Sequence, residues 1–140
     1  MEQRVSVITL GVADLAASRR FYVEGLSWSP VMEVEGEVAF FNVSPGLVVG
    51  LFSGLAKDAG VEGRGAGLTS ISQNVPDKNG VDVLMAEAEA AGAKITLAAR
   101  DTDWGGRSGY FADPDGHLWE VAWNPFWPVD AEGRISIVRG

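Results

Sequence analysis

Residues 113–120 read Asp113-Pro114-Asp115-Gly116-His117-Leu118-Trp119-Glu120, and this stretch is the most specific motif in the chain. Its first four residues predict a turn, because Asp and Pro favour turn initiation and Gly accommodates a left-handed backbone. The flanking segments, Gly109–Ala112 and Leu118–Ala122, are rich in apolar and aromatic side chains and predict strands. We therefore expect a turn between two strands, with Glu120 on the second.

The elements before this turn form an ordered series that starts at residue 69. Thr69–Val75 predicts a strand, and Pro76-Asp77 predicts a turn or a helix cap. Apolar residues then recur at helical spacing through Val81–Ala91, and Gly92 ends the predicted helix. A strand at Lys94–Ala99 follows. The second half of the chain is thus predicted as strand, helix and three strands.

The first half of the chain repeats this order. Val5–Val12 is rich in β-branched residues and predicts a strand, Asp14 is a candidate N-cap, and Gly25 can end the helix between them. Three further strands are predicted at Trp28–Glu33, Val38–Val43 and Leu47–Phe52. Two βαβββ modules with one helix each can pair around a cavity, and such module interfaces favour ligand sites.

These patterns divide the chain into one domain with four parts. We predict a first module at residues 1–53, a glycine-rich linker at 54–67 and a second module at 68–123. The tail, residues 124–140, begins with Asn124-Pro125-Phe126-Trp127-Pro128. Because this segment is too apolar to remain in water, we expect it to pack on its own chain or on a second subunit.

The composition excludes several classes of protein. The chain has 140 residues, of which 46% are hydrophobic and 21% charged, as expected of a globular domain. Its net charge of −8 disfavours binding to nucleic acids or to anionic membranes. The absence of cysteine excludes disulfides and thiolate chemistry. With no signal-peptide or transmembrane pattern, we expect a soluble cytoplasmic protein.

The order of elements and its motifs resemble the vicinal-oxygen-chelate superfamily, which includes glyoxalases, bleomycin resistance proteins and dioxygenases. The resemblance covers nearly the whole chain. It implies an α+β fold of two βαβββ modules around a cavity, and a homodimer, since members of the family commonly dimerise. The motifs that carry it are Ile8–Asp14, Ser18–Tyr22, Gly25-Leu26, Ala90–Ala93 and Asp113–Glu120.

The resemblance also implies a divalent metal between the modules, held by residues of the first and last strand of each module. By position, the ligands fall at Val7, Gly50, Ser70 and Glu120. Only Glu120 is a competent ligand, because valine and glycine side chains cannot coordinate and a serine hydroxyl is a weak donor. One carboxylate cannot replace the three ligands of a usual catalytic site. We therefore expect no metal and no other cofactor.

His117, the only histidine, does not restore such a site. Residues three apart on a strand point to opposite faces, so His117 and Glu120 should face apart. Glu120 itself has two interpretations. It forms a structural ion pair, for instance with Arg107, or it lies in an apolar cavity, where a raised pKa would suit a general base.

The segment Trp104-Gly105-Gly106-Arg107-Ser108 is predicted as a loop at the mouth of the cavity. Its indole and its cation, together with nearby aromatic side chains, are candidates for ligand contact. In the alternative interpretation Trp104 merely plugs the cavity and the other aromatics form the core or a subunit contact. The candidate ligand-binding residues are Trp104, Arg107, Tyr110 and Trp119.

Three functions are consistent with these residues. The first is a metal-independent small-molecule binding protein with an aromatic-lined cavity. The second is a divalent-metal-dependent lyase or isomerase of glyoxalase type, or an enzyme that uses Glu120 for acid–base chemistry. The third is a non-catalytic dimeric interaction module with a filled cavity. A ring-cleaving dioxygenase is disfavoured, since such enzymes use two histidines and a carboxylate for iron.

Overall fold

The computed structural model describes residues 1–25, 27–62, 68–112 and 118–137, and it contains eight strands and three α-helices in these ranges. The predicted turn at Asp113–Gly116 and the histidine that follows it lie outside the described residues. The elements are, in chain order, β1 (Val7–Gly11), α1 (Leu15–Arg20), β2 (Met32–Val34), β3 (Val38–Ser44), β4 (Leu47–Phe52), α2 (Leu55–Asp58), β5 (Thr69–Asn74), α3 (Lys78–Ala90), β6 (Lys94–Asp101), β7 (Arg107–Ala112) and β8 (Leu118–Trp123).

The strands form one mixed sheet in the order β2-β3-β4-β1-β5-β8-β7-β6. Within the first module β1 pairs parallel with β4, and β3 pairs antiparallel with β4 and β2. The second module repeats these relations with β5, β8, β7 and β6. The two modules join where β1 pairs antiparallel with β5. The predicted α+β fold of two βαβββ modules is therefore confirmed.

Both predicted helix caps are present. The Asp14 carboxylate accepts a hydrogen bond from the Ala17 amide at 3.0 Å, and α1 continues as a π-helical turn that ends at Gly25. At α3, the Asp77 carboxylate accepts from the Gly80 amide at 2.8 Å. These bonds satisfy amides that the first turn of a helix leaves without partners.

Two predicted segments differ from the structure in ways that change the position of their side chains. The strand expected at Trp28–Glu33 is shortened to Met32–Val34, because Ser27 has a left-handed φ of 61° and turns the chain back onto the preceding helical turn. Trp28 then packs on Phe41 instead of joining the sheet. Strand β7 begins at Arg107, so the loop predicted at 104–108 ends before that residue.

The glycine-rich segment predicted as a linker contains the short helix α2. Leu55 and Ala59 lie one helical turn apart and are almost fully buried, together with Leu68 and Tyr110. Helix α2 therefore belongs to the core, although its glycine-rich surroundings are typical of an unpacked connection.

The tail packs on its own chain. Trp127 is buried and meets the Phe40 ring edge-on, with 4.9 Å between ring centroids. Ile135 is also buried, and it forms a β-bridge with Val129. The tail was predicted to pack either on its own chain or on a second subunit, and the structure shows packing on its own chain. In the described ranges, no helix combines the length and the apolar character that crossing a bilayer requires.

The helices cover one face of the sheet unequally. In α3, Val81, Leu84 and Met85 are buried against β7 and β8, whereas α1 buries no residue fully. Leu15 of α1 is half-buried. The helix of the second module is therefore held by far more apolar packing than its counterpart in the first.

This inequality predicts different costs for the same substitution. Leu84→Ala should destabilise the protein by about 2–4 kcal/mol, as truncation of a buried leucine usually does. Leu15→Ala, at the equivalent helix, should cost about 1 kcal/mol or less, because much of that side chain is already in water. Urea unfolding followed by circular dichroism measures both, and equal losses would contradict the described packing.

Candidate functional site

Strand alternation directs Glu120 into the space on the face of the sheet opposite α1 and α3. Glu120 and Ala122 of β8 line a cavity there. The alternate residues of the same strand, Trp119 and Val121, pack with α3 on the other face. On the neighbouring strand β5, Ser72 lies opposite Glu120 and its hydroxyl donates to Glu120 Oε1 at 3.1 Å. The sheet register thus fixes both the direction and one hydrogen bond of this carboxylate.

The cavity has a volume of about 230 Å³. This is enough for one aromatic ring and a small substituent, because a dry cavity of about 150 Å³ already holds benzene. Its wall is mostly apolar and also contains several polar side chains. The lining residues include Val7, Met32, Val34, Phe40, Phe52, Trp104, Ala122 and Trp127, and the polar ones Thr9, Glu37, Asp58, Asn74, Tyr110, Glu120 and Asn124.

A chain of polar contacts leads from the cavity to the surface. The Tyr110 hydroxyl donates to Asp58 Oδ2 at 2.9 Å, and Arg100 donates to Asp58 Oδ1 at 3.3 Å. Tyr110 also interacts with Glu120, which lies directly opposite it on β8. A phenol has one proton and can donate it to one carboxylate at a time. Asp58 and Glu120 therefore share one donor.

The environment of Glu120 raises its pKa to about 7 from an ordinary value of 4.5. Loss of water around the carboxylate is the main cause, and the negative charge of Asp58 adds to it. Hydrogen bonds from Tyr110 and Ser72, and the charge of Arg100, act in the opposite direction. Burial likewise raises the pKa of the Tyr110 hydroxyl well above its usual value, so Tyr110 stays a proton donor near neutrality.

The structure brings together three of the residues predicted for the site. Tyr110 and Glu120 line the cavity, and Trp104 lines it near the mouth, where the residue is 42% exposed. Gly106 lies directly beneath the Trp104 ring, where a β-carbon would collide with the indole. The loop containing Trp104 thus reaches the cavity.

The other two predicted ligand residues lie on the opposite face of the sheet. Arg107 donates to Asp82 at 2.7 Å and to Asp101 at 3.1 Å, so it does not pair with Glu120. Trp119 stacks on Phe111, with ring centroids 6.3 Å apart and planes within 6°. The alternation of strand side chains explains this, since Arg107 is three residues from Tyr110 and Trp119 is adjacent to Glu120.

Asp58 and Asn74 are two of the polar cavity residues that were not predicted from the sequence. Asp58 was assigned to the linker, although the apolar Leu55 and Ala59 at helical spacing are a signal that this segment packs. Asn74 ends the alternating strand β5 on the same face as Ser72. Its position two residues after Ser72 was sufficient to place it there.

The four positions that the resemblance assigns to metal ligands lie on β1, β4, β5 and β8, one on each strand. Thr9 is opposite Gly50 on β4, and Ser72 is opposite Glu120 on β8. Because β1 and β5 pair antiparallel, the pair Thr9–Gly50 in the first module corresponds to the pair Ser72–Glu120 in the second. Of the other two positions, Val7 lies opposite Ser72, and Ser70 lies opposite Thr9.

The residues at these positions do not fit a divalent metal. Gly50 offers no side chain and is covered by the Phe40 ring, which would lie 3.0 Å from a β-carbon there. The Ser70 hydroxyl is buried and has no hydrogen-bond partner in the described part of the chain. Within residues 1–25, 27–62, 68–112 and 118–137, no three His, Cys, Asp or Glu side chains converge to hold an ion.

The raised pKa of Glu120 predicts how Glu120→Gln changes stability with pH. Between pH 4.5 and 7 the folded carboxyl keeps a proton that the unfolded one has lost, so its contribution to stability falls as pH rises through this window. The full difference is about 3 kcal/mol at most. Glu120→Gln should therefore leave stability nearly unchanged at pH 5 and increase it at pH 8.

Urea unfolding at both pH values measures this effect, with the exposed Glu35→Gln as the matched control. Equal destabilisation by Glu120→Gln at pH 5 and pH 8 would show that the carboxylate is a structural group.

Comparison with known structures gives relatives along the whole chain. A glyoxalase-related enzyme from Fulvimarina pelagi is 40% identical over 96% of this chain and 98% of its own, with a TM-score of 0.48. The Mn(II)-bound glyoxalase from Novosphingobium aromaticivorans is 26% identical over 97% of this chain and 41% of its own, with a TM-score of 0.58. The chain thus spans less than half of that glyoxalase.

A glyoxalase/bleomycin resistance protein/dioxygenase superfamily member from Vibrio splendidus 12B01 is 20% identical over 86% of this chain and 98% of its own, with a TM-score of 0.56, and shares the fold. No curated protein matches the chain. A sequence model of the family matches residues 4–121. Because this match covers most of the chain, it shows that the chain belongs to the Glyoxalase/Bleomycin resistance protein/Dioxygenase superfamily.

Proposed function

We propose that this protein binds a small organic molecule in the cavity beside Glu120, and that this binding requires no metal ion. The observation that carries the proposal is a cavity of about 230 Å³ with apolar and aromatic walls and a few converging polar groups. Such a combination is typical of small-molecule sites. A volume of this size limits the ligand to roughly one ring with a short substituent.

The residues at the family's metal positions support metal independence. Three of the four positions hold Val7, Gly50 and Ser70, and the carboxylate of Glu120 is engaged by Ser72 and Tyr110. A site with one strong ligand lacks the affinity that three ligands provide. We therefore expect recognition by packing and hydrogen bonds.

An enzyme is the second candidate, and the pKa of about 7 at Glu120 favours it. A carboxylate with such a pKa can take and return a proton near neutral pH. Tyr110 could donate to a ligand oxygen on which negative charge develops if its proton turned away from Asp58 and Glu120. Both groups lie in the same cavity, so proton transfer within a bound ligand is the reaction class that these residues suit. A metal-dependent lyase would need ligands beyond these.

A homodimer is a further part of the proposal. Strand β2 is an edge of the sheet, and its residues Met32 and Val34 are exposed, as are Trp104 at the cavity mouth and Phe126 in the tail. A second subunit that covers these side chains would remove apolar surface from water. The absence of cysteine agrees with a cytoplasmic location.

A test of ligand binding uses toluene as a single-ring probe. Toluene should raise the melting temperature in a concentration-dependent manner, because a ligand that binds only the folded state stabilises it. Ala122→Leu should abolish the shift, since the added carbons occupy the cavity. The same substitution at exposed Ala98 is the control. A shift that survives Ala122→Leu would place the probe elsewhere.

A separate test addresses the metal. Mn²⁺ or Zn²⁺ added to the chelator-treated protein should produce no saturable rise in melting temperature, and elemental analysis of untreated protein should find no stoichiometric metal. Saturable binding of one ion per chain that Glu120→Gln abolishes would refute metal independence and favour the lyase or isomerase.

A further inference from the structure

Asn74 is the polar residue of the cavity whose side chain is least explained by the fold. The residue is 3% exposed and lines the cavity. Its backbone groups are satisfied, since the amide donates to Ser6 Oγ at 3.4 Å and the carbonyl accepts from Arg4 at 2.9 Å. Its side-chain amide has no hydrogen bond to any described residue. Because Asn74 lines the cavity, the hydrogen bonds of this amide must come from water or from a ligand.

The neighbours of Asn74 define what that partner must offer. Ser72 precedes it on the same face of β5 and donates to Glu120 Oε1, and Tyr110 is a second hydrogen-bond partner of that carboxylate. The second carboxylate oxygen of Glu120 and the amide oxygen of Asn74 are both acceptors. Among the described lining residues there is no lysine or arginine to supply donors. A ligand that adds hydrogen bonds to these acceptors must itself bring N–H or O–H donors.

The amide of Asn74 adds a second requirement. Its nitrogen donates and its oxygen accepts, so a planar group that presents an acceptor and a donor side by side matches both atoms. A planar group with two donors can place one N–H on the amide oxygen of Asn74 and the other on Glu120. The rest of the cavity offers aromatic walls from Phe40, Trp104 and Trp127. These surfaces fit a flat ring.

We propose that the cavity recognises a single-ring compound bearing a carboxamide or amidine group, with the N–H donors of that group bound by Asn74 and Glu120. This inference rests on the proposed function and specifies its ligand. The shared chemistry is the planar, N–H-donating head group. A neutral carboxamide and a cationic amidine differ in whether the charge of Glu120 contributes to binding.

Isothermal titration calorimetry with four probes of similar size tests the proposal on the whole chain. Benzamide and benzamidine should each bind at least about tenfold more tightly than toluene, because one or two buried hydrogen bonds are gained. Benzoate should bind most weakly, since its carboxylate would face Glu120 and Asp58 without a cation. Toluene binding at least as tight as that of benzamide would overturn the inference.

Variants locate the contact. Asn74→Leu keeps the side-chain volume and removes both polar atoms, so it should weaken benzamide about tenfold and leave toluene unchanged. Asn42→Leu, the same change at an exposed strand position, should have no effect. Glu120→Gln should weaken benzamidine more than benzamide, because only the cation uses the charge. Benzamide affinity that is insensitive to Asn74→Leu in a folded protein would overturn the assignment.

The two proposals fail in different ways. If toluene binds and the head group adds nothing, the cavity is a ligand site and only the inferred ligand class is wrong. If none of the four probes binds the wild-type protein, both are wrong. The ranking in the wild-type protein decides the ligand class even where a variant does not fold.

Discussion

The antiparallel pairing of β1 with β5 is the constraint on which the rest of the structure depends. It joins two modules of the same strand order into one sheet, so that each strand presents alternate residues to the helices and to the cavity. A one-residue slip in this pairing would exchange every such residue between the two faces. The wall of the cavity, including Glu120 and Asn74, therefore follows from a single register.

The two modules differ in the side chains that lie beside the equivalent positions Glu120 and Gly50. Helix α2, from the segment between the modules, inserts Leu55 among the core residues of the second module and brings Asp58 to Tyr110. The first module has no equivalent carboxylate beside Gly50, where the Phe40 ring lies instead. The polar chemistry of the cavity is thus concentrated on one side, and the desolvation of Glu120 is opposed there by two hydrogen bonds.

Much of the fold was predictable from local signals. The caps at Asp14 and Asp77, and the repeated order of elements, depend on residues close together in sequence. The face of the sheet to which a single side chain points was harder to predict. Trp104 and Tyr110 line the cavity. Arg107 and Trp119 are close to them in sequence, but strand alternation turns both to the side of α3. The role of Asp58 depends on contacts with residues more than 40 positions away, which composition does not reveal.

The Phe40 ring constrains how this chain can change. It covers Gly50 and also meets Trp127, which anchors the tail. A chelating side chain at position 50 would have to displace that ring, and the ring cannot move without disturbing Trp127. Acquisition of an ion site opposite Glu120 therefore demands coordinated replacements in two strands and the tail. Selection acting on one codon at a time would meet a barrier of lost stability first.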